Sequence, residues 1–489
     1  MKINFVNKIT ETKENEVIIK LVTKDFFEEN KCENLEKNYN FKASYNEKVI
    51  VCCENKLKVV VGLGEEEDLD NKKLEELGEN LFKYFNSNKF KNVVLFYNTK
   101  KDSNELPESS NNLLSILKGI ELSNYRFDKY IAEDKKEKIY LENINLLVKD
   151  VEKLEQEYKD FLLVKENIFF CRDLVNEPAN IINPTTYADL CSELNEYGLE
   201  VEVFGEDEMS NFGMGSLLSV GQGSDCESKF VVLKWQGLEE FKDPIAFVGK
   251  GITFDSGGLS LKPDNAMLDM KCDMAGSAVV VSLLKLLAQR KARVNAVGVV
   301  ALVENMPSGN ATKVGDIIES MSGQTIEILN TDAEGRLILA DELYYAISKF
   351  KPQTVIDLAT LTGAICVALG EINAGLFTNN DELAEEIWEA TENTGELTWR
   401  MPLDKIGSKY DRMMDSSVAD VKNISGTRYA GSITAAQFLQ RFIDGHNKWA
   451  HIDIAGTAFV EKAGYFVKEG ATGFGVRLLN DLVKNHYEK

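Results

Sequence analysis

The chain has 489 residues, 44% of them hydrophobic and 28% charged, which is enough apolar material for two or three buried cores. That composition excludes a disordered chain, and 8 prolines and 8 cysteines in such a length exclude collagen-like and disulfide-scaffold classes. Lys and Arg number 56 against 79 Asp and Glu, and the resulting charge of −23 repels nucleic acid and anionic membranes while attracting divalent metals and ammonium-bearing substrates.

In chain order, short β-rich runs at Glu16 to Val22, Lys48 to Cys53, Lys58 to Leu63, Asn92 to Tyr97 and Asn143 to Val148 predict strands. Between them, Leu69 to Phe85 and Asn111 to Leu122 carry apolar residues at helical spacing, which makes the first third an α/β domain. The Lys/Glu-rich segment Lys149 to Tyr158 has helical rhythm without Pro or Gly, so residues 1–165 are expected to form an N-terminal domain ending in a linking helix. From Ile168 the apolar runs become continuous. Phe230 to Leu233, Ile245 to Val248, Val294 to Leu302 and Thr354 to Leu358 read as strands buried on both faces. Helices are expected at Ala275 to Gln289, Ile338 to Ser348 and Leu383 to Ala390. The expected architecture is a smaller α/β domain joined to a larger α/β/α catalytic domain, residues 166–489, with a mostly parallel buried sheet.

No signal-peptide core precedes Thr10-Glu-Thr-Lys-Glu-Asn-Glu16, and the longest apolar run, Ala278 to Ala288, is broken by Lys285 and too short to span a bilayer. The cysteines, Cys32, Cys52, Cys53, Cys171, Cys191, Cys226, Cys272 and Cys366, show no C-x-x-C pair and no framework spacing. A cytoplasmic protein with free thiols and no membrane association is expected.

With only three histidines, and with neither an H-E-x-x-H nor a G-x-S-x-G pattern, an active site must be built from carboxylates, Lys and Arg. Two segments qualify. In the first, Val248-Gly-Lys-Gly-Ile-Thr-Phe-Asp-Ser-Gly-Gly-Leu-Ser-Leu-Lys262, Lys250 and Asp255 follow a strand at its carboxyl end, where open α/β sheets place ligands. No acid neighbours Lys250 in sequence, so burial would favour its neutral form. Asp273 stands just before an apolar helix, and its ordinary role there is a cap. The second segment places Asp332, Glu334 and Arg336 two apart. In an extended backbone they share one face, either as carboxylates bridged by a cation or as a turn neutralised by Arg336. Together, Asp255, Asp273, Asp332, Glu334 and a neutral Lys250 could hold two divalent metals, with Lys262 and Arg336 left to stabilise developing negative charge.

Asn330-Thr-Asp-Ala-Glu-Gly-Arg-Leu337 resembles the signature octapeptide of the leucine aminopeptidase (cytosol aminopeptidase) family of dinuclear metallopeptidases. Gly249 to Gly258, Met270 to Gly276, Arg172 to Asn180, Trp449 to Gly456 and Gly470 to Gly475 are similar to further landmarks of that family, in order across residues 168–480. The resemblance implies one metal on Lys250, Asp255, Asp273 and Glu334 and another on Asp255, Asp332 and Glu334, with Mn²⁺ or Zn²⁺ first and Co²⁺ or Mg²⁺ as alternatives. It implies that Lys262 polarises the scissile carbonyl and that Arg336 binds a bicarbonate acting as general base. Met270, Thr360, Gly363, Ala455 and Ala458 match the region lining the pocket for the substrate's first side chain. The expected activity is release of N-terminal residues, leucine and other mainly apolar ones, from peptides by a homohexamer. His451 is expected to be a core or supporting histidine rather than a ligand. A DNA-binding accessory protein and another dinuclear hydrolase, such as a phosphoesterase, stand as alternatives. The charge of −23 opposes the first, and the octapeptide opposes the second.

Overall fold

The computed structural model describes residues 1–8, 16–29, 33–53, 56–98, 110–462, 466–467 and 469–489. Cys32 and most of the Thr10 to Glu16 stretch lie outside them. The chain divides into two compact units, Met1–Lys165 and Glu166–Lys489.

The first unit is built on a six-stranded sheet of β1 (Lys2–Val6), β2 (Glu16–Val22), β3 (Lys48–Cys53), β4 (Lys56–Gly62), β5 (Asn92–Asn98) and β6 (Asn143–Leu147), in the order β1-β6-β5-β2-β4-β3. All pairings are parallel except β3 with β4. The expected helices occur at Asn71–Ser87 and Ser110–Leu122. They pack closely because Gly78 and Gly119 each abut the other helix's backbone, where a Cβ would not fit. Strand β1 and the short helices Lys24–Glu29 and Glu33–Tyr39 are additions that periodicity did not predict. Each is only one or two turns or a few residues long, below the length at which a repeat becomes visible.

The second unit contains β7 (Glu200–Phe204), β8 (Lys229–Gln236), β9 (Ile245–Asp255), β10 (Asn295–Asn305), β11 (Ile317–Glu319), β12 (Thr325–Glu327), β13 (Thr354–Ala359), β14 (Ala374–Thr378), β15 (Thr398–Arg400), β16 (Val421–Lys422) and β17 (Trp449–Asp453). Eight of them form one sheet, β15-β14-β17-β13-β9-β10-β8-β7, and β11-β12-β16 form a small second sheet. The centre of the large sheet, β17-β13-β9-β10, is parallel, and antiparallel pairs flank it. Its strands read as near-continuous apolar runs because helices cover both faces.

Strand β9 is the pivot. The chain leaves it through the helix Ala275–Gln289 to reach β10, then returns through the helix Gly335–Phe350 to β13 on the other side of β9. Parallel crossovers are almost always right-handed, so two that run in opposite directions put their helices on opposite faces and open a crevice at the carboxyl ends of the strands. The residues ending the four central strands are Asp255, Asn305, Ala359 and Asp453. The apolar stretch Met270–Gln289 is long enough to cross a membrane by composition, but it is almost wholly buried inside this unit.

One strand boundary needs correction. The strand expected to stop at Val248 continues to Asp255, so Lys250 lies within it. The expected strand stopped just before Gly249, yet Gly249 and Gly251 lie within it as close-approach positions. A Cβ on Gly249 would meet the backbone of Gly276 and Ser277, and one on Gly251 would meet the Ala301 carbonyl.

Candidate metal centre

Successive β9 side chains alternate faces, so Lys250 points away from the helix that Gly249 touches. On its own side it meets Gly335, where a Cβ would collide with the lysine's Cε and Nζ. The glycine of the octapeptide therefore makes room for the Lys250 side chain. Beyond Asp255 the chain turns through Gly257 and Gly258, with φ of 87° and 61°, and Gly257 N–H donates to Asp255 Oδ1 at 2.8 Å. This turn brings Lys262 back, its N–H bonded to the Ser256 carbonyl at 2.9 Å.

Asp332, Glu334 and Arg336 do not share an extended face. Asn330 Oδ1 accepts the Asp332 N–H at 2.9 Å, closing a turn, and Glu334 already has helical dihedrals at the start of Gly335–Phe350. The turn and helix separate the side chains. Glu334 enters the cluster, Asp332 stays half-buried at its edge, and Arg336 Nη1 donates to the Asn423 carbonyl at 2.7 Å. The octapeptide is thus a turn leading into a helix rather than a strand.

Asp255, Asp273 and Glu334 are buried, and each offers an oxygen within 4.8 Å of the others. Lys250 does have acids to pair it, contrary to its sequence neighbourhood: its Nζ lies 2.7 Å from Asp273 Oδ1 and 2.8 Å from Glu334 Oε1. Those partners are 23 and 84 positions away along the chain, so no local pattern announces them. Burial by itself would push this lysine's pKa down, but Asp273, Glu334 and Asp255 raise it, and the ammonium form is the one paired here. Lys262 bridges Asp255 Oδ2 at 2.8 Å and Asp332 Oδ1 at 2.5 Å. Burial and mutual repulsion push Asp255 up to about 6 and Asp273 well above the usual carboxylate range. Glu334 is held low, because the two ammonium groups outweigh its burial. Asp273 is not a helix cap. Its Oδ1 accepts from Lys250 and from Thr360 Oγ1 at 2.8 Å, while its Oδ2 is buried without a hydrogen-bond partner.

Four carboxylates against two ammonium groups leave this cluster with two uncompensated negative charges when all are ionised. A buried negative excess of that size, with an orphaned carboxylate oxygen, fits a divalent cation held by carboxylate oxygens and one amine. The residues present therefore suit a metal centre. Arg336 is buried as well. Burial pushes its guanidinium down to about 10, and its Nε has no hydrogen-bond partner.

Around the cluster stand two side chains that the sequence did not single out, Asn305 and Asp453, beside residues that it did. Asn305, ending β10, donates to Asp255 Oδ1 at 2.8 Å and to the Thr331 carbonyl at 3.0 Å. Thr360, just past β13, offers its carbonyl to Lys250 Nζ at 3.0 Å. Asp453, ending β17, accepts from Leu361 N–H at 3.1 Å, Thr362 Oγ1 at 2.6 Å and Ala455 N–H at 3.2 Å. One carboxylate therefore ties together the loops bearing Thr360, Gly363 and Ala455. Met270 opens the short helix Met270–Met274 that carries Asp273, and Ala458 is buried beyond β17. A recess with a cavity volume of only about 10 Å³ reaches Glu334 from the side of Asn305, Met306, Thr312 and Thr331, and the five expected pocket residues do not line it. His451 is a buried core histidine. Its Nδ1 lies 2.5 Å from Asp357 Oδ1, its ring stacks on Phe377, and Asp357 raises its pKa against the effect of burial.

Residues 169–480 match the catalytic-domain model of the cytosol aminopeptidase family, and residues 29–133 match the model of that family's N-terminal domain. The chain belongs to the cytosol aminopeptidase family. It is a metal-dependent aminopeptidase, a hydrolase acting on peptides, and the DNA-binding and phosphoester alternatives give way to this reading. A probable cytosol aminopeptidase of Brucella melitensis is 46% identical over 436 residues, covering 88% of this chain and 87% of the relative. A solved tomato leucine aminopeptidase variant superposes with a TM-score of 0.84 at 31% identity, over 99% of this chain and 97% of that one. A bottromycin maturation enzyme, BotP, solved in complex with Mn, gives a TM-score of 0.82 at 30% identity over 96% of this chain and 99% of that one. The two-part architecture and the mostly parallel large sheet of the family are those found here.

Proposed function

We propose that this cytosol aminopeptidase releases leucine and other mainly apolar N-terminal residues using two divalent ions. One would be held by Asp255, Asp273, Glu334 and Lys250, whose ammonium must give up its proton to a base or solvent as the ion binds, and the other by Asp255, Asp332 and Glu334. The buried Asp255–Asp273–Glu334 triad at the carboxyl end of β9, with its uncompensated negative charge, is the observation that carries this reading. When bound, the ions supply an activated water, a polarised scissile carbonyl and an anchor for the free α-amine. Mn²⁺ is favoured by the Mn complex of BotP, with Zn²⁺, Co²⁺ and Mg²⁺ as substitutes.

Lys262 donates a hydrogen bond to the carbonyl oxygen as it gains negative charge, from a position fixed by Asp255 and Asp332. Arg336, with a buried and unpartnered Nε, would hold a bicarbonate, which would supply a general base for the reaction. Met270, Thr360, Gly363, Ala455 and Ala458 line the pocket for the first side chain. The name carried by the relatives supports a cytoplasmic location, and the family likeness supports a homohexamer. We place the division into an N-terminal and a catalytic domain near residue 165.

Hydrolysis of leucine amide tests the reading. Activity is expected to vanish with chelator and return with Mn²⁺, Zn²⁺ or Co²⁺, and failure of all three to restore it would refute the metal assignment. Lys262→Ala and Asp332→Ala are each expected to cut kcat by about 10²–10³-fold with the fold intact. Near-normal rates in either variant would remove that residue from the machinery.

A further inference from the structure

Among the residues that hold the segment carrying Asp332 and Arg336 from outside, Asn423 makes the most bonds to its backbone. Strand β16 pairs in parallel with β12, Ile326 opposite Val421 and Glu327 opposite Lys422, and the two chains then run on side by side. At the next position, Asn423, the backbone N–H still bonds to the Glu327 carbonyl at 3.0 Å. From there its side chain takes over the ladder. Oδ1 accepts from Leu329 N–H at 2.8 Å and Asn330 N–H at 3.4 Å, and Nδ2 donates to the carbonyls of Asn330 at 2.6 Å and Ala333 at 3.4 Å. Its own carbonyl is the acceptor for Arg336 Nη1. Asn423 is completely buried, so water cannot replace these bonds.

All the hydrogen-bonding capacity of the Asn423 amide is thereby spent on the backbone from 329 to 333, the turn that presents Asp332. We propose that Asn423 is a positioning residue: it sets the place of Asp332, and hence the affinity of the metal site that uses Asp332, and it orients Arg336 through its carbonyl. This rests on the ligand assignment given above. Aspartate would turn an oxygen toward two carbonyls, and leucine would leave two N–H groups and two carbonyls buried without partners.

Metal-free full-length protein, titrated calorimetrically with Mn²⁺, provides the test in three forms: unaltered, Asp332→Asn and Asn423→Ala. Unaltered protein should take up two ions in separable steps, and Asp332→Asn should lose one of them. Asn423→Ala should weaken that same step about 10–100-fold while the other stays within about threefold. Hydrogen exchange should rise in the 328–337 peptide of this variant while β13 stays protected. If the alanine variant does not accumulate as folded protein, Asn423→Ser replaces it. Two undisturbed steps in the Asn423 variant, or equal weakening of both with exchange raised everywhere, would overturn the inference and leave the ligand assignment standing. Two steps surviving in Asp332→Asn would overturn the assignment and the inference together.

Discussion

Among the buried acids, Glu342 shows how a single side chain makes stability depend on pH. It lies on the helix Gly335–Phe350 with Oε1 accepting the Ala301 N–H at 2.5 Å and Oε2 buried without a partner. Burial pushes its pKa well above the usual carboxylate range, more than one backbone hydrogen bond can offset. The folded chain therefore keeps a proton that the unfolded chain releases near pH 4.3. The stability it confers is complete below that pH and declines as pH rises toward the folded pKa. Glu342→Gln keeps the shape and the acceptor but cannot ionise. Urea unfolding across pH is expected to show this variant more stable than the native protein at pH 8, with the gap closing toward pH 4. A gap independent of pH would mean that Glu342 is ionised in its place. The charged residues of the cluster were readable at this scale, because Lys250, Asp255, Asp273, Asp332 and Glu334 fall in three short stretches of recognisable chemistry. Their supports were not: Asn305 is 50 positions from Asp255, and Asn423 is 94 from Leu329, so each is an isolated polar residue until the strands are assembled.

Elements were legible in proportion to their length and burial. The helix expected at Ala275 to Gln289 has those bounds, since its apolar run is closed by polar residues, and the strands of the large sheet appear where β-branched runs stand. Glycine was the deceptive residue, because it serves both in turns and where backbones touch. Its second use governs how the helix Ala275–Gln289 meets the sheet. Gly276 rests on β13 so closely that a Cβ would strike the Leu358 carbonyl oxygen, and Gly249 on β9 receives the helix in the same way. Gly276→Ala must lift the helix start from β9 and β13, and Asp273 lies three residues before it. A loss of about 1–3 kcal/mol in stability is expected, visible as a lower melting temperature, together with weaker metal retention. An alanine variant with unchanged melting and metal content would show that the helix can shift without disturbing its ligand.

On the scale of the whole molecule, the charge of −23 has a consequence for catalysis that no single contact contains. Leucine amide is a cation at pH 7, and the catalytic cluster itself holds more carboxylates than ammonium groups. Such a field concentrates cations near the crevice and speeds their encounter, and salt screens it over a Debye length of about 10 Å at 0.1 M. The value of kcat/KM for leucine amide is therefore expected to fall about two- to tenfold as ionic strength rises from about 10 to 200 mM. The kcat should be unaffected, since it reports events after binding. Glutamic acid α-amide, whose side-chain carboxylate cancels the α-ammonium, provides the comparison and should show a much shallower slope. Equal slopes for the two amides would mean that salt acts on the protein or its metals rather than on the approach of the substrate. The same field should keep duplex DNA unbound in a low-salt gel shift, where a salt-sensitive complex would reveal a basic surface that the net charge conceals.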